Sequence, residues 1–380
     1  MADSYLKYVA SSMRSYYKDF SKYAKGRQPE QKVAWVTSFT PIEILDALGI
    51  EYIYPESYAA VIAASGKEQA MLEEADRQGL SCNCCSYSCC FEGCITTESG
   101  PRGVPPKPDV LIATNNQCNT LPGWWSTLSR KYNVPLIILD YPGEFASEEI
   151  AAEYVKSQHM DLIQKLEDLT GNELDPEVLK ETIKRSGASV AAWKRVISCF
   201  KNKDIPPTLL FDNINFLITA RCKEDTATIY NLMADELEQS PDKDPSLIPL
   251  FWIGYPLWYH PERFLSEVTD GFAIVGSNYI NWWNLDYSGI DVWDSLFNAY
   301  NYTFLNLKQE TKTARLSALI EASGAKCAIS CRNKSCKCDY VSAKNVGIIQ
   351  TELEIDMIDR EFLDLDRAKK LVAVMKESLS

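Results

Sequence analysis

The sequence predicts an α/β fold with two Rossmann-like, doubly wound parallel-sheet domains, an N-terminal helix and a helical segment between the domains. Three observations lead to this prediction. Short, almost unbroken apolar runs recur along the chain, as in parallel strands that helices cover on both faces. Helical patterns alternate with these runs in both halves. A long helical stretch and then a polar, proline-containing stretch separate the halves.

The first half predicts one α/β domain over residues 31–145, after a short amphipathic helix within residues 1–30. Pro41 starts a predicted helix that ends before Gly49, because proline suits a first helical turn and glycine commonly follows the last one. Residues 124–132 predict the helix that joins the second strand to the third. The predicted strands are residues 33–37, 109–114 and 135–140.

The helical segment over residues 146–240 predicts three helices. Ser147 is the expected N-cap of the first, which runs to about residue 169. Asp175 and Pro176 have the order of an N-cap and a first-turn proline, and predict a second helix to about residue 200. The third is predicted over residues 226–237.

The polar stretch 239–246 contains two prolines and predicts the boundary before a second α/β domain, residues 241–380. Residues 352–359 alternate polar and apolar side chains, which is typical of an edge strand. The other predicted strands are residues 249–254, 272–276 and 346–350, with a short strand around 328–329.

The composition excludes several classes of protein. Lys and Arg total 39 against 52 Asp and Glu, a net charge of −13, so we expect no nucleic-acid partner. Apolar runs are too short to span a bilayer, and the N-terminus lacks the basic and apolar regions of an export signal. We therefore expect a cytoplasmic protein without a membrane partner. The glycine-rich dinucleotide and P-loop motifs are absent from the sequence, so we expect no ATP hydrolysis by this chain.

Thirteen cysteines and two histidines are an unusual ratio. In a cytoplasmic protein they do not indicate a disulfide framework. Six cysteines lie within residues 82–94, one is Cys118, and four lie within residues 327–338. Cys199 and Cys222 are isolated in helical contexts, and we expect them to be buried as small apolar side chains.

Two of these cysteine groups follow strands. Cys118 comes directly after the strand that ends at Thr114, and Cys336 comes after the short strand around 328–329. Since α/β folds place chemistry just beyond the carboxyl ends of strands, three thiolates from three loops can converge near the domain cleft. Cys82 and Cys85 have the CxxC spacing of a zinc knuckle, but a second CxxC is missing. Irregular spacings suit an iron–sulfur cluster, and zinc or uncoordinated thiols remain the alternatives.

Four stretches appear in a characteristic order: Cys85-Ser86-Tyr87, residues 108–120, Leu139-Asp140-Tyr141-Pro142 and residues 332–337. In these stretches the chain resembles the 2-hydroxyacyl-CoA dehydratase and benzoyl-CoA reductase family, particularly its smaller, beta-type dehydratase subunit. The resemblance extends from about residue 30 to the C-terminus.

This resemblance implies that Cys85, Cys118 and Cys336 hold a [4Fe–4S] cluster between the two domains, with one iron left open. It implies a lyase that removes water from an (R)-2-hydroxyacyl-CoA to form an enoyl-CoA, through a ketyl radical made by one-electron reduction. The electron would come from an ATP-hydrolysing iron–sulfur activator protein. The chain would work with a larger dehydratase subunit as a heterodimer, or with a second copy as a homodimer.

The chain departs from the family pattern in its additional cysteines. They could hold a second cluster or a double-cubane cluster, which would favour an activator-driven oxidoreductase that reduces a small molecule and binds no CoA ester. A non-enzymatic electron carrier or a zinc scaffold is the third alternative. The additional candidate ligands are Cys82, Cys89, Cys90, Cys94, Cys331 and Cys338.

His260 follows a predicted strand and is a weak candidate for a catalytic acid or base; it is equally suited to packing at the start of a helix. Ser38, Thr40 and Glu43 follow the first strand and are candidates to line the cleft.

Overall fold

The computed structural model describes residue 20 and residues 26–28, 30–80, 84–336 and 346–379. These residues form eight strands in two all-parallel sheets, together with thirteen α-helices. The predicted α/β fold with two parallel sheets is therefore confirmed. The helix expected within residues 1–30 lies almost entirely outside the described residues.

The first sheet has the strand order β2-β1-β3-β4. Its strands are β1 (Val33–Val36), β2 (Glu51–Ile53), β3 (Val110–Thr114) and β4 (Leu136–Leu139). All four residues of β1 and all five of β3 are buried, as expected for central parallel strands. The sequence did not predict β2, because three residues are too few to show a strand period.

Five helices belong to this sheet. They are α1 (Ile42–Ala47), α2 (Pro55–Ala64), α3 (Glu68–Arg77), α4 (Ser86–Thr96) and α5 (Thr120–Tyr132). Helix α1 ends before Gly49, as predicted, and that glycine has a φ of 69°, a conformation that favours glycine. Helix α5 begins four residues before the predicted start.

Four helices form the middle segment: α6 (Glu148–Thr170), α7 (Pro176–Phe200), α8 (Pro207–Ala220) and α9 (Thr226–Leu237). Asp175 caps α7 by accepting a hydrogen bond from the Glu177 N–H, as its position predicts. Ser147 is the N-cap residue of α6, although its side chain makes no capping hydrogen bond. Helix α8 was not predicted, because its run of apolar residues is buried on several sides and shows no single apolar stripe.

The second sheet has the order β6-β5-β7-β8. Its strands are β5 (Ile248–Ile253), β6 (Phe272–Ser277), β7 (Cys327–Asn333) and β8 (Ile349–Ile355). Strand β8 lies at the edge of the sheet. It contains parts of two strands that the sequence predicted separately, over residues 346–350 and 352–359. The remaining helices are α10 (Pro261–Val268), α11 (Val292–Asn301), α12 (Gln309–Ser323) and α13 (Leu365–Glu377).

The two sheets share one topology. In each, the chain reverses its direction of winding beside the first strand, between β1 and β3 and between β5 and β7. Crevices for ligands form at such switch points, beyond the carboxyl ends of the strands. The indole of Trp193 on α7 donates a hydrogen bond to the Ile280 carbonyl in the second half, and one cluster of buried apolar residues includes both sheets. Among the described helices, we find no segment with the length and hydropathy of a membrane span.

Candidate functional site

A buried carboxylate lies at the switch point of the first sheet. Glu56, on α2, is 6% exposed. The Ser38 N–H and hydroxyl, just after β1, donate to its Oε2 at 3.0 and 2.9 Å. The Gln117 amide, just after β3, donates to its Oε1 at 2.8 Å. Burial raises the pKa of Glu56, and these hydrogen bonds oppose that rise.

Three partly buried cysteines surround this switch point. Cys85 is the residue before α4, Cys118 lies in the loop between β3 and α5, and Cys336 follows β7 of the second sheet. The segments that carry Cys85 and Cys336 touch, because the hydroxyl oxygens of their neighbours Ser86 and Ser335 are 2.9 Å apart. Two distant parts of the chain therefore meet where these cysteines lie.

The pKa of the Cys85 thiol indicates the same proximity. Burial raises the pKa of its thiol, and the charges of Cys336, Cys118 and Glu56 raise it further. Since Coulomb interactions weaken with distance, the Cys85 thiol lies within range of the charges of two further thiols and a carboxylate.

This donor set suits a cationic cofactor that binds thiolates. Within residues 30–80, 84–336 and 346–379, no three His, Cys, Asp or Glu side chains are grouped to hold a single metal ion. The thiolate ligands of an iron–sulfur cubane bind different irons, so they need not converge on one point. Burial raises the pKa of Cys85, and a bound cluster would counter this effect because its positive charge stabilises thiolates.

The other cysteines occupy different surroundings. Cys90 and Cys94 on α4 are fully buried, and burial raises the pKa of Cys94 to about 12. Cys89, also on α4, is buried, and its pKa is raised to about 11 by burial and by the charge of Cys84. Cys331 is buried on β7. Cys82 and Cys338 lie outside the described residues.

The two isolated cysteines are buried as expected. Cys199 on α7 is 7% exposed, and Cys222, just after α8, is fully buried. The thiol of Cys222 lies 3.3 Å from the Tyr52 hydroxyl.

A cavity of about 760 Å³ opens beside Glu56. One face of α2 forms part of its wall through Ser57, Ala60, Val61 and Ala64. The second half of the chain contributes aromatic side chains, and one of them connects to the cysteine region because the Trp258 indole donates to the Tyr87 hydroxyl. The aromatic residues of the wall are Tyr87, Tyr255, Trp258, Tyr279 and Trp283. A volume of this size accommodates an organic ligand of medium size.

Of the three candidates after β1, Ser38 lines this cavity. Thr40 and Glu43 are instead fully buried, and the Glu43 carboxylate pairs with Arg221. His260 is exposed, caps α10 in a left-handed conformation with a φ of 45°, and is not part of the cavity wall.

Sequence reasoning missed Glu56 and Asp212, both of which line the cavity. Fifty-two acidic residues occur in the chain, and neither of these two stands in a motif that distinguishes it. Glu56 follows a strand that was itself not predicted, and Asp212 lies on the unpredicted helix α8.

Comparison with known proteins finds similar proteins over most of the chain. Residues 37–364 match the family model described as 2-hydroxyglutaryl-CoA dehydratase, D-component. The chain is 29% identical over 345 residues to the lactoyl-CoA dehydratase subunit alpha of Anaerotignum propionicum, covering 84% of this chain and 82% of the relative.

Two further relatives are similar. The (R)-2-hydroxyisocaproyl-CoA dehydratase alpha subunit of Clostridioides difficile is 27% identical, with 93% of this chain and 92% of that protein covered. The (R)-phenyllactyl-CoA dehydratase alpha subunit of Clostridium sporogenes is 26% identical, with 82% and 79% covered. These relatives are named alpha subunits, so the expected likeness to a smaller, beta-type subunit is not confirmed. From the match over most of its length, the chain belongs to the 2-hydroxyglutaryl-CoA dehydratase, D-component family.

Proposed function

We propose that this chain is the iron–sulfur subunit of a 2-hydroxyacyl-CoA dehydratase, which removes water from an (R)-2-hydroxyacyl-CoA to give an enoyl-CoA. The observation that carries the proposal is the meeting of Cys85, Cys118 and Cys336 beside the carboxylate of Glu56 and a cavity. The relatives, which are dehydratase subunits by name, support the same reaction class.

The three thiolates would hold a [4Fe–4S] cluster. When bound, such a cluster supplies a low-potential electron and, at an iron without a protein ligand, a Lewis acid. Three protein ligands leave one such iron. The protein contributes a partly buried site, in which the three thiols are partly buried and Glu56 is 6% exposed, and this burial strengthens electrostatic interactions relative to bulk water.

Removal of water from a 2-hydroxyacyl thioester is difficult because the proton on C3 is not acidic. One-electron reduction of the thioester carbonyl gives a ketyl radical, which expels hydroxide from C2. The resulting radical has an acidic C3 proton, and loss of that proton followed by return of the electron leaves the enoyl-CoA. The electron is recycled, so the net change is loss of water alone.

Glu56 is placed to receive the C3 proton. Its carboxylate lines the cavity, neighbours Cys85 and is held in one orientation by Ser38 and Gln117. Burial raises its pKa, which makes the carboxylate a stronger base than an exposed glutamate. The Ser38 hydroxyl, directed at Glu56, positions this base.

The electron would be delivered by a separate ATP-hydrolysing activator protein, since the sequence lacks a P-loop motif of its own. The relatives are named as subunits, and we propose that this chain likewise works with a second dehydratase subunit in a heterodimer. Pairing with a second copy of this chain is the alternative that a mass measurement of the purified complex distinguishes.

The metal content of anaerobically purified protein tests the proposal. We expect about four irons and four sulfides per chain. Cys85→Ala, Cys118→Ala and Cys336→Ala should each lose most of this iron, whereas the matched control Cys199→Ala, also at a buried thiol, should retain it. Circular dichroism of each variant separates loss of the cluster from loss of the fold.

Other metal contents would contradict the proposal. Zinc without iron would exclude a dehydratase subunit. About eight irons per chain, falling to about four in a Cys89→Ala, Cys90→Ala, Cys94→Ala variant, would instead support the reductase with a second cluster. Formation of enoyl-CoA from a 2-hydroxyacyl-CoA, with activator and ATP present, tests the reaction itself.

A further inference from the structure

The cavity beside Glu56 has walls of opposite charge. Asp212 on α8 and Glu262 on α10 line one part of it. Burial raises the pKa of Asp212 to about 6, and the charge of Glu262 contributes to this rise, so the two carboxylates are close neighbours. Of the described residues in the wall, Arg102 is the only base.

Arg102 does not neutralise these two carboxylates. Among the described charged groups, Glu262 alone acts on the Asp212 carboxyl. Arg102 lies instead beside Tyr58, whose hydroxyl accepts a hydrogen bond from the Arg102 backbone N–H at 3.2 Å. The arginine and the acidic pair therefore occupy separate parts of the cavity wall.

Beside the acidic pair, the wall combines apolar side chains with the neutral polar side chains of α8, which are Thr208, Asn213 and Asn215. Leu209 and Ile218 flank Asp212 on α8, and Tyr279 packs near this helix. Asn213, the neighbour of Asp212, is 5% exposed and its Oδ1 acceptor has no hydrogen-bond partner. Its amide donates to the Leu209 carbonyl at 2.6 Å, so the oxygen cannot be exchanged for the donor by a flip. This region therefore offers apolar contacts and neutral polar groups, and its two carboxylates repel anions.

We propose that this chain selects 2-hydroxyacyl-CoA esters whose acyl group carries no carboxylate, because that group ends at the acidic pair of Asp212 and Glu262. This inference rests on the proposed dehydratase function. The thioester lies at Glu56, and the anionic CoA phosphates lie away from the acidic pair. The acyl group is then neutral, and apolar or aromatic, to match Leu209, Ile218 and Tyr279.

Two CoA esters of similar length test the inference: 2-hydroxyisocaproyl-CoA, which is neutral beyond the thioester, and 2-hydroxyglutaryl-CoA, which ends in a carboxylate. Their dissociation constants are measured by anaerobic titration calorimetry with the full-length protein at pH 7.5. We expect the neutral ester to bind at least about tenfold more tightly, as one unfavourable charge contact in a partly buried site implies.

The double variant Asp212→Asn, Glu262→Gln should reduce this ratio to about twofold or less, chiefly by improved binding of 2-hydroxyglutaryl-CoA. The control Asp161→Asn, Glu177→Gln removes the same two charges from exposed positions on α6 and α7 and should leave the ratio unchanged. In the wild type, the ratio should also fall at pH 5.5, where Asp212 is largely protonated, whereas in the double variant it should not depend on pH in this range.

Each contrary outcome has a distinct meaning. Equal binding of both esters by the wild type, or an unchanged ratio in the double variant, would overturn the inference about the acyl group and leave the dehydratase function intact. Failure of either ester to bind, by protein with its full iron content, would overturn the proposed function at this cavity and the inference with it.

Discussion

The carboxylate of Glu56 accepts a hydrogen bond from the side-chain amide of Gln117 at 2.8 Å, although 61 residues separate the two in the chain. The contact joins helix α2 to the loop that carries Cys118. The orientation of the carboxylate is therefore coupled to the position of one proposed cluster ligand. Truncation of either side chain to alanine would remove this link between the base and the loop.

We predict that Glu56→Gln lowers the rate of dehydration by about 10²–10⁴-fold, the range for loss of a general base. The amide retains the size of the side chain and can still accept from Ser38, so iron content and binding of the CoA ester should change little. Turnover with activator and ATP, together with iron analysis, checks this. Near-normal turnover would show that Glu56 is not the base.

The buried core contains an ion pair. Arg221 and Glu43 are 1% and 0% exposed, with the guanidinium 3.1 Å from the carboxylate. Tyr287 and Tyr300 donate to the same carboxylate at 2.8 and 2.6 Å. The pair joins the end of α8 to α1. Ser186 also donates to the Glu43 carboxylate at 2.6 Å, and Arg221 also donates to the Thr40 and Ile218 carbonyls, but the charge of each partner is balanced chiefly by the other.

Arg221→Met should therefore lower the free energy of unfolding by about 3–5 kcal/mol, because it leaves a buried carboxylate without its counter-ion. Adding Glu43→Gln to the variant should restore part of the loss. The control Arg195→Met removes an exposed pairing with Asp235 and should have almost no effect. Guanidinium denaturation measures all three; a small effect of Arg221→Met alone would contradict the prediction.

Two helices near the cysteines touch through a glycine. A Cβ atom at Gly93 on α4 would lie 2.0 Å from the Met71 carbonyl oxygen on α3. We predict that Gly93→Ala destabilises the protein by about 1–3 kcal/mol, since the backbones of the two helices must separate. Gly123→Ala, on exposed α5 surface with no atom within 4 Å, should instead stabilise by about 0.5–1 kcal/mol. Thermal unfolding of both variants distinguishes the destabilisation caused by the steric clash at Gly93 from the stabilisation that alanine gives to a helix.

The buried histidine predicts that the protein loses stability in acid. His159 is buried, its Nε2 lies 2.8 Å from the Tyr141 hydroxyl, and burial lowers its pKa to about 3. The unfolded chain binds a proton at this residue below about pH 6.5, while the folded protein does not. Stability from this residue is thus fully present above pH 6.5 and is lost as pH falls toward 3.

Between pH 7 and pH 5, His159 should account for a loss of about 2 kcal/mol in the free energy of unfolding. His159→Gln removes the titrating group and should flatten this dependence. His260→Gln, at an exposed histidine, is the matched control. Urea denaturation at both pH values checks this; a slope that His159→Gln does not change would show that other groups govern acid stability.

The sequence by itself determined the alternation of strands and helices and the start of α7 at Asp175. These features depend on neighbours a few residues apart, through apolar periodicity and capping, so a local pattern predicts them. The positions of Cys118 and Cys336 after strands were likewise readable, because the carboxyl end of a strand is a local property.

Only the tertiary structure decided which side chains meet. Glu56 and Asp212 line the cavity because α2 and α8 pack where the two halves of the chain approach each other, and no short-range pattern records that contact. Cys90 and Cys94 belong to a cysteine-rich stretch, yet they point into the packing of α4, where burial favours the neutral thiol. Residue type suggested chemistry at the cysteines but not at Glu56 or Asp212, and burial and long-range contact determined which side chains share the site.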